Sequence, residues 1–242
     1  LILRVPGGPA TVIDTGPSPW AARRIAEVLS RRGVREDVDL VVTHPHGDHA
    51  GGWATLARLR PFATVDIPTT DLPAGAWTAF APEPALRTAR PRLRQDAWPL
   101  GEGEVSVRWP PAPLRLGDAN MVSLVLRVRW RDRELWLMGD ALGIQERDLM
   151  DLGDPGPGSP RRLLKTGHHG SASATDPAWT GALRPEVAVI AAGRRNAFGF
   201  PQAATLDTLA AAGCRSVWVA GPRAGVRLEA TPGGWAVETG WD

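Results

Sequence analysis

VVTHPHGDHAGG, residues 41–52, places three histidines and an aspartate within six positions, directly behind an apolar run. The 242-residue chain holds five histidines, and the other two are adjacent, His168 and His169 in LLKTGHHGS. All five therefore fall in two short loops, each following a strand-like segment. Imidazoles used for packing or at the surface scatter along a chain, whereas a metal site concentrates them. Imidazole with carboxylate suits zinc, manganese or iron, and two ions can share a site when one carboxylate bridges them. His44 and His46, two residues apart at one bend, can address one ion. Asp48 and His49, adjacent at the start of the next helix, turn toward a second. Gly47, Gly51 and Gly52 supply the permissive backbone that such a tight fan requires.

Outward from this loop, LILRVPGGPATVIDTG reads as a hairpin closed by Asp14-Thr15-Gly16. A helix follows, with Ser18 as its cap, Pro19 in its first turn, Ile25, Val28 and Leu29 on one face, and Gly33 at its end. DVDLVVTH is a buried strand and GGWATLARL a short helix. Residues 60–104 are rich in Pro and Ala with weak periodicity, and only ATVDI is predicted as a strand there. Beyond 105 come VSVRW and then SLVLRVRW and ELWLMGD, the last two joined by RDR as a hairpin. A helix over 143–151, the loop DLGDPGPGSP, the strand RRLLKTG, a helix from Asp176, the strand EVAVIAA and a helix over 202–212 follow in order. The strands SVWVA, GVRLEA and WAVET close the chain. Strands lead in each half, which favours two sheets with outer helices over one parallel sheet.

Composition narrows the function classes less than the motifs do. Hydrophobic residues make up 43% and charged residues 22%, an ordinary globular balance. The charge is +2, carried by 27 arginines and the single lysine Lys165. A pI near 9.4 permits a polyanionic partner, but no run of five basic residues occurs. The densest cluster, Arg87, Arg90, Arg92 and Arg94, reads as a solvated face. Cys214 has no partner for an internal disulfide and reads as packing. No apolar stretch approaches the ~20 residues that span a bilayer. The first residue is Leu1, already inside a strand-like run, so the expectation is a piece of a longer protein.

The HxHxDH pattern after a buried strand and before Gly-Gly resembles the metallo-β-lactamase superfamily. The resemblance extends to Asp14 of VIDTG, Asp140 at the end of LWLMGD and the HHGS loop. It implies an α/β fold, an αβ/βα sandwich of two mainly antiparallel sheets with outer helices, occupying residues 1–242 as a single domain. It also implies that Asp140 bridges two metals, that His169 binds the second with His168 nearer the substrate, and that Asp14 orients the loop beside the ligands. Residues 50–139 contain no further histidine, unlike the β-lactamases and thioesterases of this fold. Instead the order IDTG, THPHGDHAGG, NMVSLVL, MGD, KTGHHGS and NAFGFP is similar to the C-terminal domain of ComEC-type DNA-uptake channel proteins. Phe200 stands where that branch has histidine, and is read as packing.

What this resemblance implies is a metal-dependent nuclease that degrades the non-imported strand of DNA. Its partners would be single-stranded DNA and the membrane channel and other domains of its parent, and it would lie on the extracytoplasmic face of the cytoplasmic membrane. Two divalent ions, Mn²⁺ or Zn²⁺, would lower the pKa of a shared water and neutralise charge on the phosphate. The metal ligands would be His44, His46, Asp48, His49, Asp140 and His169; Asp48 and His168 would also take part in catalysis. Asn120, Ser123, Lys165, Ser171 and Asn196 are candidate phosphate contacts. No tyrosine occurs, so a phenolic acid or nucleophile is excluded. Another phosphodiesterase of the same fold, and a catalytically weak nucleic-acid-binding module, are the alternative readings.

Overall fold

A hairpin opens the chain: β1 (Ile2–Leu3) pairs antiparallel with β2 (Thr11–Ile13), Ile2 opposite Val12. The computed structural model describes residues 1–69, 75–113, 118–157, 161–193, 196–220, 225–232 and 234–241. Residues 158–160 of the Gly/Pro loop lie outside them. The described residues form two units, Leu1–Leu124 and Val125–Asp242.

In the first unit, α1 (Pro19–Arg31) starts as its sequence predicts: Ser18 Oγ accepts from the Ala21 N–H, and proline occupies the first turn. A cap of this kind contributes about 1 kcal/mol. Gly33, at φ 71°, ends the helix in the left-handed region. After it come β3 (Val38–Val41), α2 (Gly47–Ala50), α3 (Trp53–Leu59), β4 (Phe62–Pro68), α4 (Gly75–Thr78), α5 (Glu83–Thr88) and β5 (Arg90–Arg92). The sheet order is β1-β2-β3-β4-β5, and β2 through β5 run parallel. Helices make the crossovers that parallel neighbours require. Val12, Leu29, Leu40, Val42, Trp53 and Leu56 fill the core beneath α1 and α3. The hairpin of β6 (Ala97–Leu100) and β7 (Gly103–Trp109) completes the unit. Its turn passes so close to the GGP loop that a Cβ on Gly8 would meet Gly101 N at 2.7 Å.

Residues 60–104 hold more order than one strand. The helix α5 carries proline in its first turn and an exposed Glu83–Arg87 pair, and β5 is an edge strand of alternating arginines. Those arginines correct the reading of a solvated face. Arg90 and Arg92 both donate to the buried carboxylate of Asp66, at 2.6–2.8 Å, and Arg94 donates to the Arg108 carbonyl. A buried carboxylate needs this pairing to offset its lost hydration.

In the second unit, β8 (Val125–Trp130) and β9 (Arg133–Leu137) form the expected hairpin. They are followed by α6 (Gly143–Asp151), β10 (Arg161–Lys165), α7 (Pro177–Leu183), β11 (Val187–Ala191), α8 (Ala203–Ala211) and β12 (Ser216–Ala220). Strands β9, β10, β11 and β12 lie parallel in the order β12-β11-β10-β9. A final antiparallel ribbon, β13 (Gly225–Thr231) with β14 (Gly234–Trp241), lays Leu228, Trp235 and Val237 on Leu163, Val187 and Val189. Trp136 and Trp179, both fully buried, meet edge to face at 5.2 Å.

The metallo-β-lactamase αβ/βα fold class is thus met, with one correction: pairing is mixed and largely parallel, not mainly antiparallel. The reason is connectivity, because a helix separates the two strands of every parallel pair. No helix among the described residues is long and apolar enough to cross a membrane.

Candidate metal centre

The histidine loop hangs from the end of β3 and is tied to the turn after β2. Asp14 sits there at φ 61°, a left-handed conformation that Asp tolerates better than bulkier residues. Its carboxylate accepts from the Thr43 N–H at 2.8 Å and from the His49 Nδ1–H at 2.7 Å. Thr15 N–H and Oγ1–H both donate to the His49 carbonyl. A Cβ on Gly52 would lie 2.5 Å from the Thr15 carbonyl oxygen, and one on Gly51 2.7 Å from that of Pro17. The two glycines therefore let the loop press against its support.

Hydrogen-bond roles follow from proton counting. Thr43 has one hydroxyl hydrogen and gives it to Asp14, at 3.0 Å. Toward His44 Nδ1, 3.1 Å away, the same hydroxyl can then only accept. His44 and His49 are thus both engaged through Nδ1, which leaves Nε2 as the nitrogen each ring turns away from its support. Both rings are buried. His44 Nε2 lies 3.0 Å from His46 Nδ1. Two nitrogens on one tetrahedral Zn²⁺ at ~2.0–2.1 Å would stand about 3.3 Å apart, so the pair needs only a small adjustment to share an ion. His49 Nε2 is 4.0 Å from Asp48 Oδ2, whose side chain is about half exposed. Burial pushes the Asp14 carboxyl up in pKa. The charge and hydrogen bond of His49 and the Thr43 N–H outweigh this, so Asp14 stays below the ordinary carboxylate value.

The second unit supplies its own pair. Asp140 follows Gly139, which turns the chain at φ 54° beyond β9, and is 2% exposed. His169 Nε2 stands 3.4 Å from Asp140 Oδ2, while its Nδ1–H donates to the Ala191 carbonyl at 2.7 Å. His169, too, is anchored through Nδ1 and turns Nε2 to the carboxylate. Both His168 and His169 sit at positive φ, 41° and 54°. The turn is held by Gly170, where a Cβ would strike Ile190 and Pro201. In each unit the donor set, imidazole nitrogen beside carboxylate oxygen, fits a divalent cation of borderline softness.

The remaining candidates divide. Ser171 lies in the His168–Ser173 turn, its Oγ 2.9 Å from Ser173 Oγ, and Ser173 Oγ is 3.2 Å from His168 Nδ1. Lys165 donates to the carbonyls of Gly139 and Thr166, holding the turn that carries Asp140. Asn120 lies in the 3₁₀ turn Ala119–Val122. Two candidates are engaged with neighbouring groups of the protein. Ser123 is fully buried, with its Oγ 3.4 Å from His44 Nδ1. Asn196 spends both amide hydrogens on the carbonyls of Gly193 and Phe200 and accepts from the Phe200 N–H, so it clamps a turn. Thr43 and the Ala191 carbonyl, which anchor the rings, escaped the sequence reading. Only Thr43, immediately ahead of the motif, left a signal there.

The profile of the metallo-beta-lactamase superfamily matches residues 1–194. ComE operon protein 3 of Bacillus subtilis (strain 168) is 26% identical over 220 residues, covering 82% of this chain and 27% of that protein. Competence protein ComA of Neisseria gonorrhoeae is 29% identical over 204 residues, covering 84% of this chain and 27% of that one. The chain thus spans 27% of the length of each of these relatives. Among solved structures, Zn²⁺-bound PqqB from Methylobacterium extorquens shares the fold with a TM-score of 0.54 at 13% identity, over 91% of this chain and 84% of that one. The similarity to ComEC-type competence proteins that the motifs implied is met, and by the match over residues 1–194 the chain belongs to the metallo-β-lactamase superfamily.

Proposed function

We propose that this chain is a metal-dependent phosphodiesterase that cleaves single-stranded DNA, acting as the nuclease domain of a DNA-uptake channel protein on the outer face of the cytoplasmic membrane. In this reading the two units work as one domain over residues 1–242. His44, His46 and Asp140 would hold one divalent cation, and Asp48, His49 and His169, with Asp140 shared, would hold a second. The observation that carries the reading is ring anchoring: three imidazoles, His44, His49 and His169, are each held through Nδ1, so that Nε2 is the nitrogen presented for a cation. Such pinning is how proteins prepare histidines for metal. The similarity to competence proteins points to DNA as the substrate.

When bound, the cations would neutralise charge on the phosphate and acidify water. The half-exposed Asp48 would orient that water and take its proton. His168, its Nδ1 at 3.2 Å from Ser173 Oγ, would hold the phosphate or protonate the leaving oxygen. Lys165, Asn120 and Ser171 remain candidates for contacts to the phosphate.

The test joins metal analysis to a nuclease assay on wild type and Asp48→Ala. The expected result is at least one divalent ion per chain and a loss of about 10²–10⁴ in the rate of single-stranded DNA cleavage in the variant. Wild-type cleavage by Asp48→Ala, or DNA binding without metal or cleavage, would overturn the proposal, the latter in favour of a binding module.

A further inference from the structure

We infer that Phe198 and Phe200 form a stacking platform for an unpaired nucleobase, leading away from His169. The inference rests on the nucleic-acid reading above and names the contact by which that substrate is gripped. Phe198 is 73% exposed, an unusual setting for so large an apolar ring. It is not loose: Phe198 and Phe200 lie nearly parallel, at 5.4 Å and 19°. Phe200 in turn lies nearly parallel to the His169 imidazole, at 6.5 Å and 17°. Its edge also approaches His168, at 5.8 Å. The three rings of Phe198, Phe200 and His169 therefore form a graded stack, with its inner end at a candidate metal ligand and its outer end in solvent.

The backbone beneath the stack is fixed. The three hydrogen bonds of Asn196, at 2.7–2.8 Å to Gly193 and Phe200, close the turn, and Gly199 passes through it at φ 68°. A pinned turn that holds an aromatic ring out in water offers a preordered flat surface. Base–aromatic stacking is tolerant of sequence, because every base has a π face, and a basic chain of pI 9.4 suits the accompanying phosphates. Phe200 is thus more than packing. It is the middle ring of the stack.

The test measures binding of the metal-loaded chain to two fluorescently labelled oligomers of about twelve nucleotides, one oligothymidylate and one an abasic backbone of equal length. Wild type, Phe198→Ala and Phe198→Trp are compared, and Mn²⁺-dependent cleavage of the oligothymidylate is followed in parallel. Phe198→Ala is expected to weaken oligothymidylate binding roughly five- to a hundredfold and to leave abasic binding unchanged, with Phe198→Trp close to wild type. Because the ring is exposed, thermal melting of the variants should match wild type. Equal effects on both oligomers, no effect on either, or failure of wild type to bind oligothymidylate would overturn the platform. Absence of cleavage together with the base-dependent binding loss would instead strike the nuclease reading and leave the platform standing.

Discussion

At the scale of single residues, ligand preparation depends on protons as much as on positions. Thr43 gives its one hydrogen to Asp14 and meets His44 at Nδ1, which leaves Nε2 as the nitrogen His44 presents. The Asp14 carboxylate does the same for His49. Asp14→Asn keeps a residue that tolerates φ 61°, but it removes the charge and one acceptor. Metal affinity is expected to fall about 10–100-fold, read by competition with a chromogenic chelator. Unchanged affinity would mean that Asp14 supports the fold alone. Much of this was legible beforehand, because His44, His46, Asp48 and His49 crowd six consecutive positions and every ligand candidate stands in a short motif. The roles of Ser123 and Asn196 were not, since a serine or asparagine near a site reads the same whether it faces substrate or a neighbouring side chain.

At the scale of elements, two small features decide whether the histidine loop keeps its place. The Ser18 cap holds the start of α1, and Ser18→Ala should lower stability by about 1 kcal/mol in urea unfolding. Gly52→Ala should cost more, about 1–3 kcal/mol, because the new methyl meets the Thr15 carbonyl at 2.5 Å and Ala22 Cβ at 3.1 Å. Looser metal binding is expected with it, and a variant with wild-type stability and affinity would show that the loop has room to shift. The capped and periodic α1, along with α6 and the β8–β9 hairpin, was readable from sequence. The short elements α4, α5, β5 and β6 were not, for they hold by pairing with distant partners, as Arg90 and Arg92 hold to Asp66.

At the scale of the whole molecule, stability should carry a mark of one buried acid outside the candidate site. Glu146 accepts from the N–H groups of Thr175 and Asp176. Burial nevertheless pushes its carboxyl up to about 7, from 4.5. The folded state then holds the proton more tightly than the unfolded state does. This acid's contribution is best below pH 4.5, declines as pH rises toward about 7, and is flat above. The decline is on the order of 3 kcal/mol at most, at ~1.36 kcal/mol per unit. Glu146→Gln should reduce the difference in unfolding free energy between pH 5 and pH 8, and a variant that tracks wild type at both values would refute this. Activity, by contrast, should follow metal identity. Stripped and reloaded protein is expected to be faster with Mn²⁺ than with Zn²⁺, since the first proposed cation site has only His44, His46 and the shared Asp140 as protein ligands; equal or faster rates with zinc would argue otherwise.

Residue order alone determined the family and its fold class, because donor type, spacing and flanking glycines are properties of a linear string. Strand direction, the burial of Ser123 and the stack from Phe198 to His169 belong to the tertiary structure. They depend on which distant groups share a neighbourhood, and spacing along a chain does not encode that.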